Sequence, residues 1–475
     1  MFEISSILGL ALILLAYYIY NVIYSLYFCP LRKVPGPLIV HFFPIYYKLT
    51  ILNGTVHQYV LNLHRKYGQI VRTGGDVVSI VSESACKEVH NGYSYSKDVI
   101  YEASKIIGET VFNTNNKDYH RFKASYFEKR ILAPLFSDKV ILDIENIVKK
   151  NVNNLVKKIN EYSEKKQKFD LGEKLHHFSF DIIGDVGYGK PFNMVKEGHH
   201  PVFDYIEDIL FLACLVAVFP IVKEMEHPSI KHVYQFSYDA INDAKNHPDR
   251  ITIINALLKA EDPETGEKLS EKEIAEESIL QFIAGADSTS YTLTWFFYNI
   301  SNRPDIYEKV EREIHNAFPD KESINFTKVK SECHYLNAVI HESMRILPAI
   351  AGVLSRVVPK GGRVVDGYFI PEGTSIGASI ISKHNSPLLW EDPDRFIPER
   401  WLENGEFKNN PDFMAFSMGP RACVGRSLAW MEIYLVTTTL IRNFRFKRET
   451  IKEVSSKLFF IVKPSEPIIY TADKF

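Results

Sequence analysis

The sequence predicts a mainly α-helical protein with a minor β region, preceded by one membrane-spanning helix. Three observations carry this. Residues 4–31 contain no Asp, Glu, Lys or Arg. Apolar residues then recur with helical period over 141–163, 175–187, 202–219, 271–302 and 305–317. Strand-like runs are few and short, at 69–72, 77–81, 367–370 and 458–462.

The N-terminal run comes first in the chain. A bilayer core needs roughly 20 apolar residues as a helix, and this run is long enough. A cleaved signal peptide is its rival, but such peptides begin with a basic region and carry a shorter apolar one. Here Glu3 precedes the run and Arg32-Lys33 follow it. The basic flank predicts a single-pass anchor with the rest of the chain on the cytoplasmic side. Next, Val34-Pro35-Gly36-Pro37 denies the helix its continuation and turns the body away from the membrane normal. The expected division is an anchor over 1–31, a basic, proline-rich hinge over 32–40 and one domain over 41–475. No repeat and no low-complexity linker divides that body.

A chain of 475 residues, 46% hydrophobic and 13% aromatic, can bury a large core. Its 56 basic against 58 acidic residues give a charge of −2, so no basic field attracts nucleic acid. Five scattered cysteines without CxxC spacing argue against a disulfide framework or a structural zinc site. The charged stretch 263–270 reads as a solvated loop before the longest helix. Residues 209–222 have almost no polar face, which makes them either core or the roof of an apolar pocket.

The segment that carries chemistry is Phe416-Ser417-Met418-Gly419-Pro420-Arg421-Ala422-Cys423-Val424-Gly425, ahead of an apolar, helix-prone stretch. A cysteine at a helix start has backbone N–H groups and the positive helix end nearby to stabilise a thiolate. Gly419 and Gly425 allow a tight turn and the approach of a flat ring. Arg421 offers a permanent cation beside the cysteine. An isolated Cys is ordinarily just a buried apolar residue; five fixed positions in one decapeptide argue otherwise.

This segment resembles the FxxGxRxCxG haem-binding loop of the cytochrome P-450 superfamily and matches at every fixed position. The resemblance implies a single haem domain carrying haem b, with Cys423 as the iron ligand and Arg421 on a propionate. Further segments follow in the family's order. Glu342-Ser343-Met344-Arg345 resembles the ExxR helix, whose Glu342 and Arg345 join Arg400 in a buried ionic cluster that supports the haem loop. Ala284-Gly285-Ala286-Asp287-Ser288-Thr289, which alone reads as a small-residue helix crossing, resembles the oxygen-binding motif. By position its acid and alcohol are Asp287 and Ser288. The alcohol is most often Thr, so Ser288 is a departure that leaves a less fixed hydroxyl, with Thr289 a substitute. Arg356 matches the arginine that follows the ExxR helix and reaches a propionate. Upstream the family pattern is stretched: Arg130 is the expected propionate contact, with Lys129 and His120 as rivals.

The wording of the haem loop and of the stretch 178–185 is most similar to fungal microsomal members. That implies a monooxygenase on the endoplasmic reticulum membrane, fed with NADPH electrons by a separate flavoprotein reductase. It consumes dioxygen and oxidises a small apolar substrate in secondary metabolism, such as a cyclic dipeptide. An aromatic-acid hydroxylase of the benzoate para-hydroxylase type is the alternative. A rearranging haem-thiolate enzyme or a non-catalytic haem sensor has no need of the acid-alcohol pair. Expected pocket walls are 93–101, 209–222, 282–286 and 349–354.

Overall fold

The computed structural model describes residues 2–115, 138–225, 227–261 and 266–475. The uncharged run forms α1 (Phe2–Ile23), which continues through one wider turn, Tyr24–Phe28, before the prolines. Its long apolar stretch, Gly9–Phe28, is not buried against the protein. Leu31 and Val34, just beyond, are already buried, and the Arg72 amide donates to the Pro35 carbonyl at 2.7 Å. The proline segment is therefore seated on the body.

The principal helices of the body are α2 (Glu83–His90), α3 (Asp138–Glu164), α4 (Leu171–Ile183), α5 (Pro201–Val218) and α6 (Pro228–Asn246). Then come α7 (Glu271–Ser301), α8 (Pro304–Ala317), α9 (His334–Ile346) and α10 (Arg426–Asn443). At the centre is α7, packed against α4, α6, α8, α9 and α10. Its start is fixed by a capping box: Ser270 accepts from the Glu273 amide, and Glu273 accepts from the Ser270 amide. From Leu293 to Phe297 it buries every side chain, which is why it lacks a polar face. Most of the core lies among these helices.

A second, smaller core lies under a five-stranded sheet. Its strands are β1 (Ile70–Arg72), β2 (Val77–Ile80), β3 (Ser96–Lys97), β4 (Val353–Val357) and β5 (Ser375–Ser379), in the order β1-β2-β5-β4-β3. All pairs are antiparallel except β2 with β5. The mainly α class with a minor β region is thus observed.

Two expectations change in detail. The run 458–462 is not one strand but the middle of a hairpin, Ser456–Phe459 with Ile461–Pro464, turning at Phe460 with φ of 67°. An apolar residue at a left-handed turn gives no turn signal in sequence. Residues 209–222 are neither all core nor all roof: Leu212 and Val216 are buried, whereas Phe211, Phe219 and Ile221 face outward.

Candidate active site

The scaffold of the site begins with α9. Glu342 and Arg345, three residues apart, share one helical face and are both fully buried. The Arg345 guanidinium donates to Glu342 at 2.8 and 2.9 Å, and to the carbonyls of His384, Pro393 and Arg395. Glu342 also accepts from Arg400 Nε at 3.2 Å, from Trp401 Nε1 at 2.9 Å and from the Ile397 amide at 2.8 Å. Every charge is met, so the cluster ties α9 to the 391–401 stretch without an unpaired buried group. His384 continues the tie: its Nε2 accepts from the Met414 amide at 2.7 Å, at the mouth of the cysteine loop.

In that loop, the Cys423 amide donates to the Phe416 carbonyl at 2.9 Å and the Ala422 amide to Gly419 at 3.1 Å. Gly419 has φ of 68°, and a Cβ there would meet the His90 carbonyl oxygen at 2.3 Å. Only glycine permits this turn and this contact with the end of α2. Cys423 then lies just ahead of α10, and its residue is exposed. The other cysteines differ: burial pushes the thiols of Cys86 and Cys333 up to about 12 and that of Cys214 to about 11. Cys29 is half-buried beside the anchor. None of the five forms a disulfide.

Beside the loop the sheet gathers positive charge. Register sets Lys97 of β3 opposite Arg356 of β4. Lys97 Nζ donates to the Val111 carbonyl at 2.7 Å. Arg356 is buried, donates to Tyr101 Oη at 3.0 Å and lies over that ring. Arg421 donates to the Tyr95 carbonyl at 2.9 Å and lies over Tyr93. Neither guanidinium has a carboxylate partner among the described residues, and the Nε of each is buried without an acceptor. Burial, then repulsion from Arg356, lowers Arg421 to about 10. His90 is pushed down to about 3 by burial and by both arginines. Its Nε2 accepts from the Ala378 amide, which leaves Nδ1 as a buried donor without an acceptor. Three unmet donors and two repelling cations make a place for an anion. His90 has no local motif; its position emerges only from the sheet.

On α7, Asp287 is buried and its Oδ1 lies 2.6 Å from His176 Nε2 on α4. Ser288 Oγ donates to the Ala284 carbonyl at 2.8 Å. Ala284 is exposed and Ser288 partly so, and the two share one helical face, whereas Thr289 is buried on another. Gly285 lies against α4: a Cβ there would meet Ile183 Cδ1 at 2.9 Å. The small-residue crossing and the acid-alcohol pair are therefore served by different residues of one motif. Arg130, with its rivals Lys129 and His120, lies outside the described residues.

A helical body around one long central helix, with an exposed cysteine ahead of a helix and an arginine-lined anion site beside it, defines a cofactor-binding protein of the haem-thiolate class. The cytochrome P450 family model matches residues 32–472, and the chain belongs to that family. It is similar to the cytochrome P450 monooxygenase ORF11 of Penicillium roqueforti, 29% identical over 92% of each chain. It is also similar to the cytochrome P450 monooxygenase atnE of Emericella nidulans, at 28% identity over 88% of this chain and 86% of that one. A third relative, the cytochrome P450 monooxygenase LUC2 of a Fusarium species, is 27% identical over 92% of this chain and 87% of its own. The chain is a monooxygenase-type oxidoreductase, and these relatives are fungal. Membership brings a haem, dioxygen, an organic substrate and a redox partner.

Proposed function

We propose that this chain is a single-pass enzyme of the endoplasmic reticulum membrane, its catalytic body cytoplasmic, that hydroxylates a small apolar precursor in fungal secondary metabolism. The observation that carries the site assignment is the pair of arginines, Arg356 buried and Arg421 half-buried, each with a buried Nε that lacks an acceptor, beside the exposed Cys423. A haem b has two propionates for these donors and a face for the thiolate. Among the described residues no cluster of three His, Cys, Asp or Glu side chains competes as a metal site.

Cys423 is the iron ligand in this reading. Arg356, Arg421 and, by sequence position, Arg130 hold the propionates. When bound, a cysteine-ligated haem supplies the reductive splitting of dioxygen, placing one oxygen atom in the substrate and releasing the other as water. The two electrons come from NADPH through a separate flavoprotein reductase. The two protons are the protein's task. Asp287 moves them from the α4 side and the Ser288 hydroxyl passes them toward the site, with Thr289 one position further on.

Membrane residence is supported by more than α1. Leu38, Phe43, Ile45 and Leu49 follow the span closely and are exposed. The helix Tyr46–Leu52 packs on α5, and Phe211 of α5, with Phe219 and Ile221 just beyond it, is likewise exposed. Half-buried Ala349, Ile350, Val353 and Leu354 support a compact aliphatic pocket. A cyclic dipeptide is the proposed substrate class; a benzoate-type aromatic acid is the alternative. Titrating the haem-loaded protein with cyclic dipeptides, aromatic acids, terpenoids and fatty acids, with the Soret band as readout, tests this. A saturating high-spin shift with one class identifies the substrate family. No shift with any of them overturns the compact-pocket reading.

A further inference from the structure

We propose that His176 is a positioning residue for Asp287, holding its carboxylate and replenishing its proton, so that the relay begins on α4. This rests on the reading of Asp287 and Ser288 as the proton relay and extends it by one residue. The hydrogen bond of 2.6 Å joins two side chains that are each less than one-tenth exposed. At such a place an imidazole and a carboxylate share a charge-assisted bond stronger than a neutral one.

Two glycines allow it. Gly285 of α7 faces Ile183, and Gly172, next to the start of α4, faces Thr294, where a Cβ would meet Cγ2 at 3.1 Å. The two helices thus approach closely on either side of the pair. Rings then fix the imidazole: Phe180, Phe203 and Tyr291 have centroids 5.0, 5.3 and 5.4 Å from it. A histidine so enclosed keeps one orientation, with Nε2 on Asp287.

The ionisable groups around the pair come from several elements. On α7 there are Asp287 itself and Tyr291, which Asp287, Glu207 of α5 and Asp170 act upon. On α4, His177 adjoins His176 and feels Lys174, Glu173 and His199 as well. His177 Nε2 lies 3.8 Å from Glu173, whose side chain is half exposed. Burial lowers His177 to about 4. Glu173 and His177 are thus ionisable neighbours on the outer side of the pair, with His177 Nδ1 buried and without a hydrogen-bond partner.

The step balances simply. From the imidazolium–carboxylate pair, the His176 Nε2–H bond breaks as an O–H bond forms on Asp287 Oδ1, and Asp287 then gives this proton toward Ser288 and is again a carboxylate. The imidazole is left neutral and is recharged by a proton from hydronium in the solvent, which becomes water. Nothing is oxidised or reduced.

The test compares His176→Gln, His176→Phe and Asp287→Asn in the full-length holoprotein with its reductase. The readouts are NADPH oxidation without added substrate, the share of electrons recovered as peroxide, and the solvent isotope effect across pH. The carboxyl infrared band of Asp287, isolated by difference against Asp287→Asn, is an independent readout. For both His176 variants we expect unchanged haem content, NADPH oxidation reduced about tenfold, a modest share of general acid–base catalysis, a larger isotope effect and a shifted carboxyl titration. If Asp287→Asn alters turnover and peroxide share while the His176 variants alter neither these nor the infrared band, the inference is overturned and the relay stands. If Asp287→Asn itself changes nothing, the relay reading fails. If the His176 variants lose haem with an unmoved carboxyl titration, His176 is only a packing residue and the inference also fails.

Discussion

At the scale of single residues, the anion site is where charge and burial meet. Arg356 and Arg421 repel one another across a site lined by donors, and each charge-assisted hydrogen bond to a propionate is worth about 1.5–3 kcal/mol. Arg356→Leu and Arg421→Leu are therefore expected to speed haem loss by about tenfold or more each. Haem transfer to apomyoglobin measures it, and an unchanged loss rate would remove the pair from the haem site. Cys423→Ser is expected to abolish the red-shifted Soret band of the reduced carbon monoxide complex, the optical mark of thiolate ligation. Retention of that band would exclude Cys423 as ligand. Arg421 and Cys423 were legible in the sequence because Gly419, Arg421 and Cys423 fall within five positions, and Arg356 because it follows the ExxR segment. His90 and His176 were not. His90 meets Ala378 across 288 positions, and His176 meets Asp287 across 111, and no local pattern marks either.

At the scale of elements, α9 and α7 carry opposite lessons. The Glu342–Arg345 pair was visible as an i, i+3 motif, and the structure adds Trp401 and the Ile397 amide as partners that only the fold supplies. Glu342→Ala leaves Arg345 buried and unpaired, which costs about 3–5 kcal/mol. Thermal unfolding of the variant should show a large loss of stability, together with poor haem incorporation. A near wild-type melting temperature would contradict the cluster's supporting role. In α7, Gly285→Val forces Ile183 aside at a cost of about 1–3 kcal/mol from overpacking. Because Gly285 lies on the α4 side, the variant should lose stability, whereas Ser288→Ala should leave stability within about 0.5 kcal/mol. Denaturant unfolding of both variants distinguishes the two faces. The hairpin at Phe460 escaped the sequence reading for the reason given by its dihedral: the turn is made by an aromatic residue, not by Gly or Asn.

At the scale of the whole molecule, buried neutral histidines set the response to acid. His341, stacked on Trp430 at 4.7 Å, and His384, stacked on Phe413 at 5.3 Å, are both pushed down from 6.5 to about 3, chiefly by burial. The unfolded chain takes up a proton at each as pH falls through 6.5, whereas the folded chain refuses it until about 3. Their stabilising contribution is therefore intact above pH 6.5 and is lost progressively below it, by about 1.4 kcal/mol per pH unit for each histidine. His341→Phe should flatten the fall in melting temperature between pH 6.5 and 4; an unaltered slope would contradict the assignment. The proposed membrane face is a second whole-molecule property. Removal of residues 2–28 should leave the protein partly membrane-bound through Leu38, Phe43, Phe211 and Ile221. Serine at these four positions should then release it, with sedimentation against vesicles as the readout.

The contact between Gly419 and His90 reaches beyond geometry. The cysteine loop and the end of α2 come from opposite ends of the chain, and beside them Arg421 and Arg356 have no carboxylate partner among the described residues. On the proposed reading, a dianionic ring bound there would act as a counter-ion as well as a reactant. Ligand that binds only the folded chain deepens its free-energy well in proportion to the logarithm of its concentration. The host's haem supply should thus govern how much of this enzyme survives proteolysis, before it governs how much of it works.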